Sequence, residues 1–88
     1  MLSVKLTREE IAARGEEIYE AEIRSKVEAQ YKGQYLVLDI ETGDYVIHPD
    51  DLIATKQALA KRPDAVSYGV RIGYPAAYRI LIDQVTTA

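Results

Sequence analysis

The chain of 88 residues has no cysteine. That excludes disulfides, thiol catalysis and thiolate zinc sites. It has a single histidine, so no His–His metal pair and no relay between histidines can form within one chain. It lacks an apolar run near the roughly 18 residues a membrane span requires, and no signal-peptide core marks the amino terminus. The expected compartment is the cytoplasm. Prolines number only three and are scattered, and no low-complexity tract occurs, so disorder is expected only at the ends.

Positive charge is also scarce. Eleven Lys and Arg face fourteen Asp and Glu, for a net charge of -3 and a pI near 5.1. An acidic chain is a poor non-specific ligand for nucleic acid, which is held by clustered Lys and Arg. The imbalance sits in residues 34–64, where three cations face six anions; residues 65–88 carry Arg71 and Arg79 against Asp83. What remains is ordinary globular composition, 48% hydrophobic and 28% charged, in a length that suits one domain.

Thr7-Arg8-Glu9-Glu10 reads as a capping box with Thr7 as N-cap, and Leu6 is placed to staple onto Ile11. A helix is expected from there to about Lys32, ended by Gly33, with Gly15 its one weak position at about 1 kcal/mol relative to Ala. Ile11, Gly15, Tyr19, Ile23, Val27 and Tyr31 form a row of i+4 steps. Each step advances about 40°, so in a regular helix the row winds roughly 200°. Two readings account for it. The helix crosses or bends near residues 20–22, or its first turns, around Ile11 and Ile18, face a second chain.

Tyr35 to Ile40 reads as a strand, Glu41-Thr42-Gly43-Asp44 as a tight turn, and Tyr45 to His48 as the returning strand. Pro49-Asp50-Asp51 opens a second helix that Arg62 and Pro63 close. Val66, Tyr68, Val70, Ile72 and Tyr74 alternate with small or polar residues, a clear strand signal. A turn over residues 73–77 leads to a fourth strand, Tyr78 to Ile82. The expected fold is α+β in the order α-β-β-α-β-β: a small four-stranded antiparallel or mixed sheet with two helices on one face. The expected organisation is an N-terminal extension (1–6), one α+β domain (7–85) and a frayed C-terminus (86–88). The last two strands are alternatively an exposed edge that pairs with another subunit.

No motif carries chemistry. Asp39, Glu41, Asp44, Asp50 and Asp51 do not match a calcium loop, because Gly43 precedes Asp44 and no bidentate Glu follows at the right distance. Glu41-Thr42-Gly43 has the outline of an Asp-Thr-Gly protease motif but puts Glu at the catalytic position, where paired aspartates are needed. His48 sits at a helix entry with no nucleophile identified beside it. Gly69, Arg71 and Gly73 precede no helix and so form no phosphate loop; the two glycines leave one strand face bare, open to a close helix or backbone. Tyr68, Arg71, Tyr74, Tyr78 and Arg79 combine the residue types enriched at protein interfaces, types that also stack single-stranded bases.

Three long segments carry a resemblance: Leu6 to Ile11, Gly33 to Tyr45, and Arg62 through Ala65 to Arg71 and on to Arg79. Together they resemble a group of small, mostly cyanobacterial proteins of unassigned function, over about residues 6 to 79. Members of that group are often encoded beside a small retropepsin-like protein. The resemblance implies an antitoxin-like pairing and supplies no catalytic residue. The reading is a non-enzymatic protein-binding or self-assembling module without cofactor, catalytic residue or metal. Its partners are a second copy and a neighbouring-gene protein. Its interface residues are Ile11, Ile18, Arg71, Tyr74, Tyr78 and Arg79. The alternatives are a small-ligand or metal-binding protein or enzyme using the acids of Asp39–Asp51 and His48, and nucleic-acid binding through Arg71 and Arg79.

Overall fold

The computed structural model describes residues 6–74 and the backbone of residues 78–82. The expected N-terminal extension and frayed C-terminus fall largely outside these residues. The long helix starts where the capping box places it. Thr7 Oγ1 accepts from Glu10 N–H at 3.1 Å, and Glu10 returns a carboxylate oxygen to Thr7 N–H at 2.8 Å. The helix runs as α1 (Arg8–Ile18), one π-helical segment (Tyr19–Ile23) and α2 (Arg24–Tyr31). Gly33, at φ +91°, turns the chain out of it.

The π segment explains the four-residue spacing. Its hydrogen bonds span five residues, as from Arg24 N–H to Tyr19 C=O. A turn closed this way holds more than four residues, so an i+4 step winds backwards there and cancels drift built up in α1. Ile11, Gly15, Tyr19, Ile23 and Val27 are consequently all buried against the sheet. Ile11, at 1% exposure, is therefore a core residue and not part of an interface with a second chain; Ile18 is half-buried against the same core.

The strands β1 (Tyr35–Asp39), β2 (Tyr45–His48), β3 (Val66–Arg71) and β4 (Tyr78–Ile82) form one antiparallel sheet in the order β2-β1-β3-β4. The class is α+β. Register puts Leu36 opposite Ile47 and Val70, and Leu38 opposite Tyr45 and Tyr68. These side chains meet the long helix in the main core. Helix α3 (Asp51–Lys61) lies on the other face, where Ala58 and Arg62 share a cavity wall with Val37, Val46 and Asp39. The expectation of two helices on one face is thus corrected: β1 is covered on both sides, by the long helix on one and by α3 on the other. The physical reason is the composition of β1, where Val37 is as apolar and buried as Leu36 and Leu38, and a strand apolar on both faces needs cover on both.

Gly15 is the point of closest approach between helix and sheet. A Cβ built on it would overlap the ring and Cβ of Tyr68. The close approach expected over Gly73 is made by the Lys32 side chain at the end of the long helix, and the helix's own Gly15 makes a second one, over Tyr68. Among the described residues, no helix is long and apolar enough to cross a membrane.

Candidate functional site

The end of the sheet near β3 gathers the expected site residues that the structure describes. Gly33 N–H donates to Ile72 C=O and Ile72 N–H to Gln34 C=O, each at 2.8 Å, so the exit from α2 is tied to the end of β3. Arg71 stands opposite Tyr35 in the register. Its Nε donates to Gly33 C=O at 3.1 Å. Gly73, at φ +87°, lets the chain turn back so that Tyr74 N–H reaches Arg71 C=O at 3.1 Å. The Arg71 guanidinium carbon then lies 4.3 Å from the centre of the Tyr74 ring and 5.5 Å from that of Tyr35. Both distances are within cation–π range. Among the described residues, no carboxylate lies within ion-pair distance of Arg71. Tyr74 is 44% exposed.

Beside this stack, between the π segment and the end of β3, is a cavity of about 130 Å³. Glu16, Glu20 and Glu28 line it from the helix, and Tyr19, Tyr68 and Tyr74 contribute their rings. Arg24 also lines it but is committed, bonded to Glu20 at 2.8 Å and Glu28 at 3.2 Å. Among the described residues, the buried Tyr19 hydroxyl has no hydrogen-bond partner. Burial foremost, and then the negative charge of Glu28, raises its pKa above the ordinary 10.0. A folded-state pKa above the unfolded one favours folding while both states stay protonated, and that benefit is lost as pH rises beyond the unfolded value. Stability therefore holds up to about pH 10 and then declines. Urea midpoints measured on either side of that pH should fall less steeply in Tyr19→Phe than in the parent chain.

The acids of the first hairpin are occupied with folding. Asp39, 8% exposed, accepts N–H bonds from Glu41 at 2.9 Å and Thr42 at 3.3 Å, and pairs with Arg62 Nε at 2.6 Å. Arg62 also reaches Glu41, and its pKa is raised first by the hydrogen bond to Asp39. Asp50 is the N-cap of α3, accepting from Leu52 and Ile53 N–H. His48 Nδ1 accepts from Asp50 N–H at 2.9 Å, which fixes it as a helix-entry residue. A second cavity, of about 150 Å³, lies between α3 and this face of the sheet. Among the described residues, no three His, Cys, Asp or Glu side chains are grouped to hold a metal ion.

Arg71 and Tyr74 are thus brought together. Tyr78 and Arg79 lie on β4, opposite Val70 and Gly69 in the register. Their side chains lie outside the described residues, as do residues 75–77. Ile11 and Ile18 belong to the core side of the helix. Sequence reasoning missed Tyr35, Tyr19 and Glu16. The first could have been paired with Arg71 only by knowing the strand register. No protein-family model, curated protein or solved structure matches this chain.

Proposed function

We propose that the chain is a non-enzymatic protein-binding module that self-associates in the cytoplasm and, in an antitoxin-like pair, holds the protein of a neighbouring gene. The observation that carries this reading is Arg71. Its guanidinium is stacked between two tyrosines, one of them well exposed, with no carboxylate of the described chain to neutralise it. Arginine and tyrosine in rigid stacks are the side chains that anchor protein interfaces, because their large contact area is fixed before binding. The antitoxin-like pairing rests on the resemblance carried by residues 6–79.

Light scattering on the purified chain tests self-association. A mass above that of one chain is expected in the micromolar range, with Arg71→Ala and Tyr74→Ala each weakening association about tenfold. A strict monomer at every concentration would sink the self-associating part. Co-expression with the neighbouring gene product, followed by the mass of the purified complex, tests the pairing; separate elution of the two chains overturns it.

A further inference from the structure

The second cavity, of about 150 Å³, lies against the sheet face that α3 covers. Register sets Val37 opposite Val46, and Asp39 opposite Ser67, so these four side chains share that face. Val37, Ser67 and Asp39 are the buried ones, at 1%, 2% and 8% exposure. Val46 and Ala58 are half-buried beside them, and Asp44 and Lys61 stand exposed at the rim.

Ser67 is the group that folding leaves unexplained. A serine this deep in a sheet normally finds a hydrogen-bond partner. Among the described residues its hydroxyl has none. Unlike the Tyr19 hydroxyl, it is not sealed off but borders open space. One water molecule does not fill that space, which is several times a water's share of about 30 Å³. Val37, Val46 and Ala58 offer no side-chain bond to further waters.

The lining also selects against charge. Asp39 is matched by Arg62 Nε at 2.6 Å and by two backbone N–H groups, so the buried carboxylate needs no further cation. Asp44 and Lys61 carry opposite charges at the rim. An ion entering would shed its water without gaining a buried counter-charge. A hydrocarbon would leave Ser67 unsatisfied. A small molecule with an apolar body and one hydroxyl meets both conditions, since a hydroxyl donates and accepts as serine does.

We propose that this cavity binds a small neutral alcohol. Its body, of about five carbons for a space of this size, packs on Val37, Val46 and Ala58, and its hydroxyl bonds to Ser67 Oγ.

The test is an amide-resolved NMR titration of the full chain with cyclopentanol, against cyclopentylammonium chloride at matched ionic strength. Saturable shifts at the amides of Val37, Ala58 and Ser67 are expected with the alcohol and not the cation. Ser67→Ala should weaken binding about fivefold. It removes a hydroxyl without a partner, so an unchanged amide spectrum of the free variant is expected and separates lost binding from lost folding. Ala58→Leu, which builds a larger side chain into the space from a half-buried helix position, should weaken binding at least about tenfold. No saturable shifts with cyclopentanol, equal affinity for the cation, or full affinity in both variants overturns the proposal. The site shares no residue with the Arg71 stack, so self-association and alcohol binding succeed or fail separately.

Discussion

Replacing Gly15 by alanine is expected to lower stability by about 2–3 kcal/mol, although alanine is the better helix former by about 1 kcal/mol. The methyl group has nowhere to go. It would be built into the Tyr68 ring, and Tyr68 is held in the core between β1 and the long helix. Either the helix lifts from the sheet or Tyr68 leaves its place, and both loosen contacts that Ile11, Tyr19 and Leu38 share. For a domain of this size the loss corresponds to a melting temperature lower by about 8–20 °C. A double-mutant cycle checks the cause. In a Tyr68→Ala background, Gly15→Ala should be far less harmful, because most of the overlapping atoms are gone. If alanine at position 15 stabilises the otherwise unaltered chain, the close approach is wrong.

Asp39→Ala is expected to remove about 2–4 kcal/mol. One carboxylate closes the β1–β2 turn through two backbone N–H groups and anchors Arg62 just beyond the end of α3. Its loss leaves the Glu41 and Thr42 amides without an acceptor and releases the tether between α3 and the sheet. Asp39→Asn retains an oxygen for the two amides and should recover part of the loss. Arg62→Ala, at a half-exposed side chain, should be milder than Asp39→Ala, since water screens exposed pairs. Urea denaturation of the three variants orders these effects. A D39A midpoint equal to that of the parent chain would show that the turn closes without the carboxylate.

Local signals in the chain were legible wherever one residue type answers one backbone demand. The Thr7–Glu10 box, the positive-φ glycines at 33 and 43, the acidic start of α3 and the alternation from Val66 to Ile72 each stand where such chemistry places them. Asp50 itself, rather than Pro49, begins α3 as its cap. What could not be read locally was which surfaces meet. The Leu36-Val37-Leu38 run was visible, and its burial from both sides puts the helices on opposite faces. Gly15 was visible as a weak helix position, yet its role depends on Tyr68, more than fifty residues later. In a regular helix the i+4 row winds, and the irregularity the row places near residues 20–22 falls inside the π turn Tyr19–Ile23. Its strict spacing was itself the trace of a turn that holds more residues. The Arg71 stack was half legible: Arg71 and Tyr74 are near in sequence, whereas Tyr35 joins them only through strand pairing.

The π segment also sets how this chain tolerates changes of length. The buried residues on either side of it share one face only because Tyr19–Ile23 takes up extra chain in a single turn. Removing one residue there would give an uninterrupted α-helix with better hydrogen bonds. Ile11 and Gly15 would keep their face relative to Ile23 and Val27 to within about 30°, because an α turn with one residue fewer covers nearly the same rotation. Gly15 would still meet Tyr68. A one-residue deletion is thus absorbed within Tyr19–Ile23, whereas the same deletion inside α1 or α2 would rotate the residues before it by about 100°.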